Sequence, residues 1–404
     1  MKIDISKFRK VPFERRLNCV ICEKKVGNSI IKLPNFPMTE IYLERKPKEK
    51  LGFVDQEFYF CKNCGHGQIL NVIDVDLQYG NSLFYYFRTS ESASGRESAD
   101  FFIDFLNEVI KNKHLKTIIE VGCNDLYILK KIRNKASKLI GIDPILKGKE
   151  KECSQRNIVA IGDFLENINI DDDIDLVICK DTLEHVSEPK EFIKKIIDRA
   201  HKDTLFFFQF PFLETILSGC RFDHIFHQHL NYFSLRSIIF MLKELGCELM
   251  NYKINFNHWG SIMIAFRKKK KASCHSGKVI KITQAMILEK YNMFKDNMRV
   301  ISQRLKCLKD EKIYGYGAAL MLPVLGYHLN TDFSFLEALM DDDIKKDGKY
   351  YVNLPIRIYY SGKIKKDVLN NATVLITALD SAKPIITKLL SGRVKNIIYP
   401  FHVI

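Results

Sequence analysis

Four cysteines near the start of the chain have the spacing of a metal site. Cys19 and Cys22 are separated by two residues, and so are Cys61 and Cys64. Two such pairs supply four thiolates, the ligand set of a closed tetrahedral zinc site. Because no coordination position would stay open, we expect the zinc ion to be structural. His66, which follows the second pair, is a minor alternative to one thiolate.

The segment 118–129, IIEVGCNDLYIL, has the pattern of a first parallel strand that leads through a glycine turn into a helix. Ligands of open α/β sheets bind at the carboxyl ends of the strands, and Gly122 lets the backbone approach a ligand closely. Glu120, just before the turn, suits a cationic, adenosine-bearing ligand better than a pyrophosphate. Asn124 and Asp125 are predicted to contact the same ligand.

Further polar residues follow the next three predicted strands. Asp143 ends the second strand, where a carboxylate can accept from both hydroxyls of a ribose; an ordinary strand-end aspartate is the alternative. Asp163 and Phe164 follow the third strand and are placed to accept from an adenine amino group and to pack on its ring. The fourth strand is predicted to end near Cys179, and the stretch from Lys180 to His185 is predicted to line a catalytic face.

The segment 222–238 holds three histidines among aromatic residues, just before a predicted helix. Histidine is the side chain best suited to proton transfer near neutral pH, so His224, His227 and His229 are candidates for acid–base chemistry. A metal site is disfavoured, because the spacings are three and two residues and there is no clear carboxylate partner beyond Asp223. A structural role is the alternative for His227, as it is for His185.

Together these segments resemble the sugar C-methyltransferase family, whose members use S-adenosylmethionine (SAM) to methylate nucleotide-linked keto-deoxysugars. EVGCND is similar to motif I of class I SAM methyltransferases. The resemblance covers nearly the whole chain, through the cysteine pairs with CGHGQ and the segments YYFRTSESAS, EVGCND, DTLEHVSEP, FDHIFHQHLNYFS, GYGAALMLPVLGY and MDDDIKKDGKYYVNLPIRI.

The resemblance implies SAM as cofactor, a structural Zn²⁺ and a base-catalysed reaction. His229 matches the family's base, which removes a proton alpha to a sugar ketone, and the resulting enolate takes the methyl group. His185 and the pair Tyr85 and Tyr86 are expected to stabilise or orient the enolate oxygen. Gln228 is expected to hydrogen-bond a sugar hydroxyl, although an amide cannot accept a proton as a carboxylate can.

The departures from the family pattern are also informative. Leu126 replaces the last glycine of motif I, and Phe226 and Gln228 stand where the family has tyrosine and glutamate. Residues 321–323 replace a Lys-Gly-Asn sequence. With Phe226 and His227 expected to contact substrate, these changes predict either a different acceptor or weakened activity. A SAM-dependent O- or N-methyltransferase acting on a related small molecule is therefore the main alternative.

The alternation of elements predicts an α/β chain with three folded parts. We expect a zinc-binding module at 1–75, a Rossmann-like class I SAM methyltransferase domain at 76–270, a helical connector at 271–310 and a Rossmann-like domain at 311–404. The last would bind a nucleotide-linked sugar, with Tyr316 and Asp342 as contacts. Its G-Y-G sequence lacks the full G-x-G-x-x-G fingerprint, so a dinucleotide-dependent oxidoreductase is less favoured.

Composition excludes several other classes. The 404 residues are 46% hydrophobic and 27% charged, with no apolar run long enough to span a membrane and no N-terminal signal segment. We therefore expect a cytoplasmic protein, a monomer or small homo-oligomer. The net charge of +15 could attract phosphate groups. The basic residues form no stripe interleaved with aromatics, so a non-catalytic zinc or nucleic-acid-binding protein is disfavoured.

Overall fold

The computed structural model describes residues 5–74, 77–78, 85, 88–111, 113–169, 173–257, 260–269, 279–308 and 310–401. It has an N-terminal module of short strands, a central α/β domain and a C-terminal α/β domain. Among the described residues, no helix is long and apolar enough to cross a membrane.

The N-terminal module is built from short antiparallel strands. They are β1 (Phe13–Arg15), β2 (Ile31–Pro37), β3 (Tyr42–Leu43), β4 (Phe53–Phe60), β5 (Gly67–Ile69) and β6 (Asn71–Ile73). β2, β4 and β5 form a sheet, and β6 pairs with β1. In β2 and β4 many of the apolar side chains are buried, and they pack in a core that is shared with the central and C-terminal domains.

The central domain is a seven-stranded sheet flanked by helices. Its strands are β7 (Leu115–Val121), β8 (Ala136–Ile142), β9 (Ile158–Ile161), β10 (Leu176–Lys180), β11 (Leu205–Phe210), β13 (Cys247–Asn255) and β14 (Ser261–Lys268), and β12 (Asn231–Tyr232) lies outside this sheet. The order is β13-β14-β11-β10-β7-β8-β9, with β14 antiparallel to β11. The order reverses at β7, so a ligand crevice is expected beside the carboxyl end of that strand.

Six helices follow the same alternation. They are α1 (Ala93–Ile110), α2 (Tyr127–Lys131), α3 (Glu150–Cys153), α4 (Pro189–Arg199), α5 (Leu213–Ser218) and α6 (Leu235–Glu244). Ser92 caps α1 by accepting from the Gly95 amide at 3.2 Å. Ser234 and Ser237 form a reciprocal capping box on α6. The predicted strand–helix alternation of this domain is confirmed.

The segment after the third histidine joins the N-terminal sheet instead of the central one. Asn231 and Tyr232 of β12 pair with Gln68 and Gly67 of β5, so the sheet order there is β12-β5-β4-β2. The N-terminal module therefore holds the backbone that carries His229.

The C-terminal domain is a second, smaller parallel sheet. After the long helix α7 (Gln284–Cys307) come β15 (Ile313–Tyr316), α8 (Leu322–Leu329), β16 (Ala338–Asp341), β17 (Tyr350–Tyr351), β18 (Ile358–Tyr360), β19 (Thr373–Ile376), α9 (Ala382–Leu390) and β20 (Asn396–Ile398). The sheet order is β18-β16-β15-β19-β20. β17 pairs with β3, which attaches the N-terminal module to this domain as well.

Candidate functional site

The four N-terminal cysteines converge in the folded chain. The Sγ atoms of Cys19 and Cys64 are 3.6 Å apart, and those of Cys22 and Cys61 are 3.5 Å apart. All four lie within 4.8 Å of one another. A tetrahedral zinc ion with Zn–S bonds near 2.3 Å separates its sulfurs by about 3.8 Å, so this group fits the ion. His66 instead packs on Phe233, with ring centroids 5.0 Å apart.

The glycine turn after β7 leaves no room for a side chain. Gly122 has a φ of 73°, and a Cβ built there would lie 2.0 Å from Oγ1 of Thr182. Its amide donates to the Ile142 carbonyl at 2.9 Å, which ties the turn to the end of β8. Gly122 is therefore required both by its positive φ and by the close approach of Thr182, since any other residue would clash there.

Leu126 preserves the turn although it replaces the expected glycine. Its φ is 63°, in the left-handed region, which costs a residue with a side chain about 1–2 kcal/mol. The side chain is buried and fills space left by Gly141, where an added Cβ would lie 2.3 Å from Leu126 Cδ2. The departure from motif I is thus accommodated in the core of the domain.

Asp143, at the end of the neighbouring strand β8, stabilises the glycine turn through a hydrogen bond. Its Oδ2 accepts from the Asn124 amide at 2.8 Å, and its Oδ1 accepts from the Ile145 amide at 3.0 Å. Burial raises the pKa of Asp143 to about 6. A carboxylate oxygen can accept more than one hydrogen bond, so both oxygens could still accept from ribose hydroxyls.

Asp163 and Phe164 lie at the end of β9 and face solvent. Oδ1 of Asp163 accepts from the Phe164 amide at 2.7 Å and from Nδ2 of Asn167 at 2.8 Å, and these bonds lower its pKa. The Phe164 ring is 46% exposed. An exposed aromatic ring beside the crevice is available to cover a base.

Asp125 joins the turn to the segment before α1. Its Oδ2 accepts from the Ser90 amide at 2.9 Å and from the Ser90 hydroxyl. Arg96 in turn donates to the Ser90 carbonyl at 2.7 Å. The sequence YYFRTSESAS and motif I therefore meet in space.

The carboxyl ends of β7 and β10 carry more carboxyl groups than cations. Lys180 is paired with Asp181, which also accepts from Nε2 of Gln209 at 3.0 Å. Glu120 is buried and, among the described residues, its Oε2 has no hydrogen-bond partner. Burial, followed by the nearby Asp143 and Asp125 charges, raises the pKa of Glu120 well above its usual value, against the opposing charge of Lys180.

Glu184 lies in the stretch that the sequence predicts to line a catalytic face, although no individual role is predicted for it. It lies on the 3₁₀ turn Leu183–His185 after β10 and is 0% exposed. Neither of its carboxyl oxygens has a hydrogen-bond partner among the described residues. Burial, and then the charge of Asp181, raises its pKa well above the usual value. The available signal was an acidic residue directly before a candidate catalytic histidine.

Two candidate catalytic histidines come together beside Glu184. The rings of His185 and His229 meet edge to face, with centroids 5.1 Å apart. Nδ1 of His185 donates to the Gln228 carbonyl at 2.8 Å, so its Nε2 is left as an acceptor in the neutral ring. Burial lowers the pKa of His185. One side-chain atom from each of Glu184, His185 and His229 lies within 4.8 Å of the others.

The two residues before His229 are held by the N-terminal module. Nε2 of His227 donates to the Phe36 carbonyl at 3.1 Å, and its Nδ1 accepts from Gln56 at 3.1 Å. Oε1 of Gln228 accepts from the Thr39 hydroxyl at 2.7 Å, and its Nε2 donates to the Thr39 carbonyl at 3.3 Å. Both side chains are therefore already bonded within the protein.

Phe226 forms one wall of the His229 pocket, with ring centroids 4.0 Å apart. His224 points elsewhere: its Nε2 is 3.7 Å from Oδ1 of Asp380, which also pairs with Arg221. The histidines at 224, 227 and 229 thus lie in three different environments.

Tyr85 lies at the C-terminal domain. Its hydroxyl donates to Asp343, and its ring packs on Tyr42 with centroids 5.7 Å apart. Its amide donates to the carbonyl of Glu40 at 2.9 Å. Tyr86 lies outside the described residues. These contacts of Tyr85 do not include His185 or His229, so they give no support to a role in orienting the enolate oxygen.

The C-terminal domain places Asp341, rather than Asp342, at the position corresponding to Asp143. Oδ2 of Asp341 accepts from the Ala318 amide at 2.6 Å and Oδ1 accepts from the Asp343 amide at 2.8 Å. Asp342 instead accepts from the Tyr316 hydroxyl at 2.8 Å and from Nζ of Lys388 at 2.9 Å. The predicted contact of Asp342 with a nucleotide-linked sugar therefore stays a prediction, and Asp341 holds the position equivalent to Asp143.

Comparison with known families identifies the central part of the chain. Residues 95–252 match the family model described as a methyltransferase domain. The central domain is a methyltransferase domain. The match contains the glycine turn, Asp143, Glu184 and both histidines of the pocket, and it covers less than half of the chain.

A curated relative and several solved structures are similar to parts of this chain. C-methyltransferase NovU from Streptomyces niveus is 25% identical over 209 residues, which is 50% of this chain and 49% of that protein. The N-methyltransferase NodS from Bradyrhizobium japonicum, solved with S-adenosyl-L-homocysteine (SAH), is 13% identical with a TM-score of 0.36 and covers 44% of this chain and 89% of NodS. Magnesium protoporphyrin IX methyltransferase from Synechocystis, solved with SAM, is 14% identical with a TM-score of 0.34 over 44% of this chain and 80% of that one.

Proposed function

We propose that the protein transfers a methyl group from SAM to a carbon of a nucleotide-linked keto-sugar. The observation that carries this proposal is the buried group Glu184–His185–His229 beside the glycine turn of a methyltransferase domain. The similarity to NovU, named a C-methyltransferase, supports carbon as the acceptor atom. The chain spans about half the length of that relative, so the acceptor is inferred from chemistry as well as from likeness.

The charge of the crevice favours SAM as the cofactor. Glu120, Asp143 and Glu184 are buried acidic groups near the ends of β7, β8 and β10, and Lys180 is already paired with Asp181. A buried charge is costly unless it is paired, so a ligand that carries positive charge is preferred there. SAM, when bound, supplies an electrophilic methyl group on a sulfonium cation.

His229 is the proposed general base. Its ring lies between Phe226 and His185, and the pocket is closed to bulk water because these side chains are buried or nearly so. His229 would remove the proton alpha to the ketone, and the enolate carbon would then accept the methyl group. A positioned acid or base contributes roughly 10²- to 10⁴-fold to a rate, so turnover of His229→Asn should fall by that factor.

Methyl transfer to a hydroxyl or amine is the second candidate. Nδ1 of His185 donates to the Gln228 carbonyl, which makes Nε2 the basic nitrogen of the neutral ring, and a basic nitrogen suits an O–H or N–H group better than an enolate oxygen. Gln228 cannot assist as an acid or base, and both ends of its amide are bonded to Thr39. The two candidates differ in the product and not in the need for SAM.

The zinc-binding module and the C-terminal domain complete the proposal. Zn²⁺ would be held by the four cysteines and would act structurally, since its module positions the strand after His229. The C-terminal domain would hold the nucleotide of the acceptor, with Tyr316 and the acidic run as candidate contacts.

The test begins with calorimetry of zinc-loaded protein and SAH. Saturable binding that is lost in Asp143→Ala supports the cofactor assignment, and Glu14→Ala, a change at an exposed residue of the N-terminal module, is the control. A panel of nucleotide-linked keto-sugars is then incubated with SAM and examined by mass spectrometry. A product one methylene heavier, whose methyl group is bonded to carbon by NMR, is the expected result. An O- or N-linked methyl group would favour the second candidate, and absence of SAH binding would contradict both.

A further inference from the structure

Glu184 has an unusual environment for a carboxyl group beside a candidate base. It is fully buried, its two oxygens have no hydrogen-bond partner among the described residues, and it lies within 4.8 Å of His185 and His229. A direct hydrogen bond would bring the heavy atoms to about 2.7–3.2 Å. The carboxyl group is thus close enough to influence the histidines electrostatically, without being bonded to them.

Glu120 shares this environment across the sheet. It pairs in register with Ile178 of β10, and its buried Oε2 has no hydrogen-bond partner among the described residues. Both glutamates act electrostatically on the Cys179 thiol between them, and the charge of Lys180 opposes the pKa rise of both. Lys180 is the cation in this group, and Asp181 already pairs with it.

The groups that face Glu184 therefore do not compensate a negative charge on it. From its own strand and turn these are Lys180, Asp181 and His185, and from the segment before β12 it is His229. Glu120, on the neighbouring strand β7, is itself affected by the charges of Lys180, of Asp125 in the glycine turn and of Asp143 after β8. Carboxyl groups buried this close together cannot all ionise without a further cation.

We propose that cofactor binding expels a proton from Glu184, so that this residue becomes a carboxylate beside His229 only when the methyl donor is in place. The inference rests on SAM as the cofactor of the proposed function. The proton leaves the Glu184 carboxyl group to solvent, and the sulfonium charge compensates the carboxylate that remains. Binding of the neutral thioether SAH provides no such compensation, so Glu184 keeps its proton.

This arrangement would keep the charges in the pocket balanced during the reaction. On accepting the carbon-bound proton, His229 would become a buried imidazolium, and the enolate carbon would take the methyl group in the step that follows. The Glu184 carboxylate would balance the positive charge of the bound cofactor before these steps and the charge of the imidazolium after them. Glu184 is therefore a positioning residue, which sets the charge around His229.

The test measures protons released on ligand binding, by calorimetry in phosphate and Tris buffers of the same pH near 7.5. For the zinc-loaded wild type we expect SAM to release about one proton more than SAH. Glu184→Gln should lose most of this difference while still binding SAH. Glu214→Gln is the matched control, because burial raises the pKa of Glu214 to about 7 and the residue lies on α5, outside this group.

The wild type alone gives a second measurement that does not depend on folding of a variant. The ratio of the SAH to the SAM dissociation constant should rise with pH, by up to about tenfold per pH unit for one linked proton. Equal proton release for the two ligands, or a constant ratio, would overturn the inference. A difference that persists in Glu184→Gln and disappears in Glu120→Gln would assign the proton to Glu120 and would also overturn it. Failure of SAM to bind at all would instead refute the proposed cofactor.

Discussion

The two Rossmann-like domains have the same backbone arrangement at the carboxyl ends of their first two strands, but the charges there are balanced differently. In each, a glycine turn follows the first strand, and an aspartate at the end of the second strand accepts from two backbone amides, at 2.8 and 3.0 Å for Asp143 and at 2.6 and 2.8 Å for Asp341. In the C-terminal domain, Nζ of Lys346 lies 3.4 Å from Asp341 and donates to the Ala318 carbonyl at 2.9 Å. In the central domain, Lys180 pairs with Asp181, and among the described residues Oε2 of Glu120 and both carboxyl oxygens of Glu184 have no hydrogen-bond partner.

This difference shows that a shared backbone motif does not determine the charge of the ligand. The central edge has an excess of buried acid and therefore favours a cation. The C-terminal edge contains its own cation, so a neutral or anionic ligand, such as a nucleotide-linked sugar, would meet no uncompensated carboxylate. The comparison leads to four predictions, from the largest expected effect to the smallest.

Removal of the metal should have the largest effect and would separate the cofactor side from the acceptor side. Structural zinc sites contribute on the order of 10 kcal/mol to folding, so chelation should unfold the N-terminal module and release the segment of His229. Turnover should be lost. SAH should still bind, because the proposed cofactor residues Glu120, Gly122 and Asp143 belong to the central domain and make their contacts within it. Calorimetry with SAH, turnover assays and metal analysis of the chelated protein test this prediction. Loss of SAH binding together with turnover would contradict it.

Lys346→Met should destabilise the protein by about 3 kcal/mol, because removing one partner of a buried pair leaves the other charge uncompensated. Unfolding in urea measures the change. Lys345→Met is the matched control, since Lys345 forms an exposed pair with Glu91 and such pairs contribute roughly 0–1 kcal/mol. Equal stability of the two variants would show that the C-terminal edge does not depend on its own cation.

Asp143→Asn should weaken SAH binding roughly 30-fold, because hydrogen bonds to a charged group contribute about 1.5–3 kcal/mol. Asp341→Asn alters the equivalent residue of the other domain and should leave SAH affinity unchanged. Calorimetry of the two variants side by side is the measurement. A similar loss in both would mean that the two edges are coupled.

The smallest effect is a dependence of stability on pH. The pKa values of Glu120 and Glu184 are raised in the folded state, so above pH about 4.5 the folded chain binds more protons than the unfolded chain. Stability of the ligand-free protein should therefore fall as pH rises from about 5 to 8. Glu184→Gln should reduce this fall by about 1 kcal/mol or more, as measured by urea unfolding at several pH values. An unchanged slope in that variant would contradict the raised pKa.

Much of the fold follows from local patterns in the sequence. The cysteine pairs, the glycine turn and the acid after the second strand were recognised because each depends on nearby residues and on a fixed strand–helix alternation. Asp143, Asp163 and Lys180 lie at strand ends, as their positions after apolar runs predicted. The pairing of β12 with β5 could not be predicted, because two residues carry too little pattern to specify a partner more than 160 positions away.

The site required more than local patterns. Gln228 and His227 were expected to face substrate, yet their polar atoms are bonded to Thr39, Gln56 and Phe36 of another module. The sequence does not distinguish Asp341 from Asp342, because the residue at which β16 ends is known only from the structure. The sequence gives no reason to expect a buried Glu184, because glutamate is rarely buried. The lack of hydrogen-bond partners for its oxygens among the described residues depends on the assembled pocket.

The sequence by itself determined that this chain has a zinc-type cysteine cluster, two α/β sheets with parallel strands at their centres and the residue types of a SAM-dependent methyltransferase, because spacing and hydrophobic periodicity are local. The tertiary structure decided which carboxyl groups lack a cation, which histidines meet and which side chains are already bonded. These properties depend on distances between segments far apart in the chain, and burial then converts those distances into the charge states on which the chemistry depends.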